Sequence, residues 1–235
     1  MDEITIEELK QKKIWFVWNY MPGKNGKITK IPFLAYGGAT GTDDKYKDTW
    51  AVYDEAYAAM QKCGAYGIGF KVPEEVYFLD IDHRELSDPL SQKFLKRHNT
   101  YTEFSPSGNG IHILGICDAK KLPIIYDEKK QRDVLSGEFY QKNSAIGIEL
   151  YIGSVTNRFA TFTGNVINDV PLSEGTEAVF ATLDEDMRRT DKGKTRLADD
   201  DDAVLFDVVA GLRRQKNAGK FIKLYNNGDI SGRYR

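Results

Sequence analysis

An apolar run, Val76-Tyr77-Phe78-Leu79, passes without a break into Asp80-Ile81-Asp82 and then into the turn-prone pair His83-Arg84. Alternate residues of a β-strand share a face. The segment therefore predicts a strand whose Leu79 and Ile81 face a core while the two aspartates project side by side. Two like charges held that close repel, and one carboxyl resists ionising unless something neutralises the pair. A divalent metal is the commonest remedy, since Mg²⁺ and Mn²⁺ favour carboxylate oxygens and water. The plainer alternative at this point is a strand end with two solvated acids.

At 235 residues and 26.6 kDa the chain can bury one large core or two small ones. No apolar stretch is long enough to span a membrane, and the acidic start Met1-Asp2-Glu3 argues against a signal peptide. Cys63 and Cys117 are the only cysteines, and with His83, His98 and His112 they offer no zinc-ligand spacing. Two cysteines and no export signal favour a reduced, cytoplasmic setting. The net charge of −2 does not advertise a nucleic-acid binder, but the balance is uneven. Lys24, Lys27, Lys30, Lys45 and Lys47 outnumber Asp43 and Asp44, and a second basic stretch follows Leu205. Local patches of this kind bind phosphate even in a near-neutral protein.

Along the chain, residues 4–13 read as a helix with Thr5 as N-cap, and Ile14–Trp18 as a buried strand. Gly23–Gly26 reads as a hairpin turn, and Lys27–Ile31 as the returning strand, with lysines alternating with isoleucines. Thr49 is placed to cap a helix in which Trp50, Tyr53, Tyr57 and Met60 recur at helical spacing, with Gly64 at its end. That aromatic stripe reads as core. Strands follow at Gly67–Val72 and Val76–Asp82, then a helix with Asp88 as N-cap and Pro89 in its first position. Tyr101–Phe104 and Ile111–Ile116 form a strand pair, residues 117–145 have no clear pattern, Ile146–Ile152 and Arg158–Thr163 form a further pair, and Ser173–Arg189 reads as a helix. The mixture indicates an α+β (mixed α/β) fold. Residues 1–190 read as one catalytic domain and 191–203 as a charged linker holding the acidic run Asp199 to Asp202. Residues 204–235 read as the start of a C-terminal segment of a longer protein, with a short helix at Val204–Leu212.

Two further segments carry chemistry. Ser105-Pro106-Ser107-Gly108-Asn109-Gly110 leads into Ile111-His112-Ile113, and glycines at alternate positions allow backbone N–H groups to form a nest for phosphate oxygens. A tight hairpin with a satisfied sheet histidine is the alternative. Ile148-Glu149-Leu150 places one acid between apolar strand residues, and an isolated buried carboxylate is costly, so Glu149 needs a partner. A strand beside that of Asp80 and Asp82 would let all three share metals. In Arg158-Phe159-Ala160-Thr161-Phe162-Thr163-Gly164, Thr161 and Thr163 share a face in a regular strand, and Arg158 falls opposite unless a bulge intervenes.

The order D-x-D, S-G-x-G-x-H, I-E-x-Y and R-F-x-T-x-T-G resembles the archaeo-eukaryotic primase superfamily, specifically the primase-polymerases of bacterial phages and plasmids. The resemblance covers roughly Ile14 to Asn165, and the tail Ala218–Asp229 looks like the segment that follows this core. It implies an N-terminal α/β subdomain packed on an RRM-like antiparallel sheet subdomain, with the active site in the cleft between them. It implies two divalent ions, Mg²⁺ or Mn²⁺ and not zinc, on Asp80, Asp82 and Glu149. Many members of the family have aspartate at the position of Glu149. The resemblance also implies nucleotide contacts from Ser107, Gly108, Gly110 and His112. Arg158, Thr161, Thr163, Lys27 and Lys30 are further candidate contacts to nucleotide or template. The implied reaction is template-directed nucleotidyl transfer on single-stranded DNA from dNTPs or NTPs, in a bacterial host's cytoplasm, and in the family a helicase often follows this core. A monomer is expected because no helix carries a large exposed apolar stripe. A metal-dependent nuclease, a D-x-D glycosyltransferase and a non-catalytic replication-initiator or DNA-binding module are the rival readings. Gly193-Lys194-Thr195 mimics the end of a P-loop, but Arg188 stands at the upstream glycine position, and it is assigned no function.

Overall fold

The computed structural model describes residues 3–22 and 28–189. The expected hairpin turn at 23–26, the linker at 191–203 and the C-terminal helix lie outside these residues. The described chain divides into two compact units, residues 10–22 with 28–70, and residues 3–9 with 71–189. Mixed helices and antiparallel sheets make the α+β class of the sequence reading correct, and the division falls inside the stretch read there as one domain.

The chain opens with α1 (Ile6–Gln11). Thr5 Oγ1 accepts from the Glu8 N–H at 3.1 Å, and the Glu8 carboxylate accepts from the Thr5 N–H at 2.8 Å, a reciprocal cap written in the T-x-x-E spacing. In the smaller unit β1 (Trp15–Pro22) is flanked by β2 (Ile28–Phe33) and β3 (Gly67–Lys71), both antiparallel to it. Val17, Met21, Ile31 and Phe33 form a core here, against Met60 of α2 (Tyr53–Cys63). Thr49 does not cap this helix. Its hydroxyl donates to Tyr46 O and closes a 3₁₀ turn at Asp44–Thr49, so the helix begins four residues later, behind Val52. Trp50 stays outside the helix and is buried, whereas Tyr57 is exposed, so the aromatic stripe is only in part core.

In the larger unit β4 (Val76–Ile81) is central. It is followed by α3 (Pro89–His98), β5 (Tyr101–Phe104), β6 (Ile111–Ile116), the hairpin β7 (Ile124–Asp127) and β8 (Arg132–Leu135), and β9 (Lys142–Asn143). Then come β10 (Ile148–Ile152), β11 (Phe159–Phe162), β12 (Val166–Asn168) and α4 (Thr176–Asp186). Asp88 caps α3 as its sequence predicts, accepting from the Leu90 N–H at 2.8 Å, with Pro89 at the first position. The six-stranded sheet runs β12-β5-β6-β4-β10-β9. The expected pairing of Ile146–Ile152 with Arg158–Thr163 does not form. Both edges of β10 are taken, by β4 and β9, and β11 is not a member of this sheet.

One face of the sheet is apolar. Tyr77, Leu79, Ile81, Ile111, Ile113, Ile148, Leu150 and Ile152 pack with Phe94 of α3 and with Val179 and Leu183 of α4. The two helices are tied by Lys93 and Arg97, which reach Asp186 at 2.7 and 2.8 Å. Beneath them His98 bridges the Tyr77 hydroxyl at 2.9 Å and Thr182 Oγ1 at 3.1 Å.

Burial, with Arg97 alongside, pushes the His98 imidazole down from 6.5 to about 3. The unfolded chain takes up a proton on this ring below 6.5, and the folded protein does so only near pH 3. The His98 contribution to stability is therefore complete above pH 6.5 and is lost progressively as pH falls towards 3. Urea unfolding at stepped pH should show this loss, and His98→Gln should flatten that part of the profile.

Candidate functional site

The opposite face of the same sheet gathers the polar residues by register alone. Glu103 of β5 lies opposite His112 of β6, His112 opposite Asp80 of β4, Asp80 opposite Glu149 of β10, and Glu149 opposite Lys142 of β9. Directly opposed residues on antiparallel strands point to one face with Cβ atoms about 5 Å apart. Five strands thus deliver one row of five ionisable side chains. The adjacent row is mainly aromatic: Tyr101, Leu114, Phe78 and Tyr151. Phe78 stacks on Tyr151 with centroids 5.6 Å apart and lies 4.8 Å from the His112 ring.

Asp82 follows Asp80 on the same face, just past the end of β4. Its N–H donates to Gly147 O at 2.8 Å. Gly147 has φ +69°, and a Cβ there would stand 3.1 Å from Asp82 O, so this approach requires glycine. Gly110 serves the other flank, where a Cβ would meet Ile81 O at 2.7 Å. Arg84 joins the two flanks. Its N–H donates to Asn109 O at 3.0 Å, and its guanidinium donates to Ile146 O (3.2 and 3.3 Å) and to Asp88.

The acids are not left to repel one another. The Lys142 ammonium donates to Glu149 Oε1 and lies 3.9 Å from Asp82 Oδ2, while the Tyr151 hydroxyl donates to Glu149 Oε2 at 2.6 Å. Burial works to raise the Glu149 carboxyl, but the bonds from Lys142 and Tyr151, helped by the charge of Arg158, outweigh it and hold Glu149 below the ordinary carboxylate range. Burial first, then the charges of Glu149 and Asp80, pushes the Tyr151 hydroxyl well up, so it remains a donor. His112 is fully buried; Nδ1 meets Glu103 Oε1 at 2.9 Å, and Nε2 lies 3.8 Å from Asp80 Oδ1 without a hydrogen-bond partner.

The other residues singled out in the sequence distribute unevenly. In the Ser105–Gly110 loop, the Gly108 N–H donates to Ser105 O, the Asn109 N–H to Ser107 Oγ, and the Ser105 N–H to Gly110 O. The loop is thus a closed hairpin whose Gly108 and Asn109 amides are engaged internally. Arg158 is exposed immediately before β11, Thr161 is buried within it, and Thr163 lies just beyond it. Lys30 belongs to the smaller unit, where its ammonium lies 5.4 Å from the Trp18 ring centroid. Lys27 lies outside the described residues.

Sequence reasoning missed Glu103, Lys142 and Tyr151. Glu103 carries the same signal as Glu149, a single acid within a short strand that is otherwise uncharged. Lys142 sits in the patternless stretch before β10 and becomes visible only through strand pairing.

Three carboxylates on one face form a hard oxygen donor set suited to Mg²⁺ or Mn²⁺. Among the described residues no three His, Cys, Asp or Glu side chains form a ready-made cage, and the Lys142 ammonium already engages Glu149. No family model matches the chain. Over 177 residues the chain is 29% identical to the DNA primase-polymerase of Nitratiruptor phage NrS-1, covering 72% of this chain and 21% of that protein. The match supports a phage primase-polymerase-type domain. This domain spans about a fifth of the length of the curated relative it matches. No helix among its described residues is long and apolar enough to cross a membrane.

Replacing Lys142 by methionine removes the main donor that holds Glu149 down. The Glu149 carboxyl of Lys142→Met should titrate at higher pH than in the parent protein, read from side-chain carboxyl ¹³C shifts.

Proposed function

We propose that this domain is a nucleotidyltransferase that makes or extends primers on single-stranded DNA, using dNTPs or NTPs, in the replication of a phage, prophage or plasmid. The observation that carries the reading is the row His112–Asp80–Glu149 with Asp82 beside it, drawn from three separate motifs into one register. The similarity to a named primase-polymerase supports it.

In this reading Asp80, Asp82 and Glu149 hold two divalent ions, Mg²⁺ or Mn²⁺. When bound, such ions lower the pKa of an attacking 3′-hydroxyl and neutralise a leaving pyrophosphate. Lys142 leaves Glu149 as the carboxylates take up external charge, and its freed ammonium is then a point charge for the polyphosphate. Tyr151 keeps its hydrogen bond to Glu149 and holds that carboxylate in place. His112, held in place in the row, offers a protonated Nε2 to the phosphate end of the nucleotide. Ser107 and the neighbouring glycines Gly108 and Gly110 bound the hairpin that carries His112 into the row. Arg158, exposed and close enough to act on Glu149, supplies a second cation for triphosphate or base. Thr161 and Thr163 shape that flank, and Lys27 and Lys30 contact template or incoming nucleotide. In the full-length protein a helicase would supply the single strand.

The test is incubation with labelled dNTPs or NTPs, Mn²⁺ or Mg²⁺ and a single-stranded template. The parent protein should incorporate label, whereas Asp80→Ala and Asp82→Ala should drop incorporation by on the order of 10³-fold with unchanged circular dichroism. Normal incorporation by either variant overturns the assignment. Degradation of the DNA without any nucleotide requirement identifies a nuclease instead.

A further inference from the structure

Glu103 is buried completely, yet its carboxylate accepts from four donors. His112 Nδ1 and the Thr163 N–H approach Oε1 at 2.9 and 3.0 Å; the Gly164 N–H and the Tyr101 hydroxyl approach Oε2 at 2.9 and 3.3 Å. Backbone amides can only donate, and one reaches each oxygen, so the carboxylate works as an acceptor on both sides. The turn that supplies those amides is itself fixed to β5. Thr163 Oγ1 donates to Phe104 O at 2.7 Å, and the Phe104 N–H donates to Asn165 O at 2.8 Å.

The constraint therefore runs in one direction. The Thr163–Gly164 turn grips the carboxylate, the carboxylate grips Nδ1, and the imidazole has no freedom left. Packing closes the other side, where Phe78 lies against the ring. Nε2 is the one buried nitrogen of the row with no hydrogen-bond partner, and it is delivered beside Asp80.

We infer that Glu103 is the positioning residue of the site: by accepting from Nδ1–H it fixes the plane of His112, so that Nε2 is presented to the Asp80 row. This rests on the proposed role of His112 towards a nucleotide phosphate, whose oxygens only accept, so that Nε2 must carry a proton when it makes that contact. A carboxylate behind a functional imidazole commonly sets its tautomer and orientation. Glutamine cannot reproduce these contacts, since either orientation of the amide turns its NH₂ group against a backbone N–H, that of Thr163 or that of Gly164.

Two measurements test this. In the ¹⁵N-labelled parent protein, long-range ¹H–¹⁵N spectra should show His112 protonated at Nδ1, with the signal assigned by its loss in His112→Ala. A ring bare at Nδ1 overturns the inference whether or not any variant folds and whether or not the protein transfers nucleotides. In Glu103→Gln that signature should be lost, and the KM for the nucleoside triphosphate should rise by roughly tenfold or more. In the Glu103→Gln/His112→Ala double variant the loss of activity should be no larger than in His112→Ala alone, because Glu103 acts through the ring. Fully additive losses, or an unchanged KM in folded Glu103→Gln, overturn it. Absence of incorporation by the parent protein, with the Nδ1–H signature present, would reject the primase-polymerase reading and leave the positioning role standing.

Discussion

The antiparallel register of β5, β6, β4, β10 and β9 is the constraint on which the site depends. A strand has a period of two, so a slip of one residue in any ladder exchanges its faces. In β4 such a slip would turn Asp80 towards Phe94 and Leu183 and bring Leu79 out beside His112. The same isoleucines and leucines that build the core thus determine which acids meet. Packing against α3 and α4 fixes the register, and the register assembles Glu103, His112, Asp80, Glu149 and Lys142.

The local elements with their own chemical signatures were legible in the sequence. The Thr5 and Asp88 caps, the turn at Gly64 and the alternation through Val76–Ile81 each follow from a few neighbouring residues. Thr49 was a false cap because its hydroxyl closes a 3₁₀ turn behind it, a choice between two nearby acceptors that spacing does not distinguish. The site was half legible. Asp80, Asp82, His112 and Glu149 stand out because acids and histidine interrupt apolar strands. Lys142 does not, because a lysine in a polar stretch has no local contrast, and its place beside Glu149 is a non-local fact. Glu103 is legible by the rule applied to Glu149, although the glycines that follow it carry the stronger local contrast.

Electrostatically the row alternates between groups that need opposite company. Glu103 is satisfied from one side by backbone amides, and Glu149 from the other by an ammonium and a phenol. Asp80 lies between them, flanked by a fixed imidazole and a carboxylate already drawn towards Lys142. Burial sharpens each of these interactions, as the behaviour of Glu149 illustrates: desolvation alone would discharge it, and two donors keep it charged. Arg84, outside the row, holds the loops on both sides of β4 together through carbonyls, so its contribution is geometric.

The Lys142 ammonium also bears on how the sheet can close. Carboxylates brought together repel one another, and one of them resists ionising unless a counter-charge stands beside it. Here the counter-charge is encoded in the polypeptide, seven residues before the glutamate it engages, and it comes into place as β9 pairs with β10. Closing the sheet and balancing its charge thereby become one event.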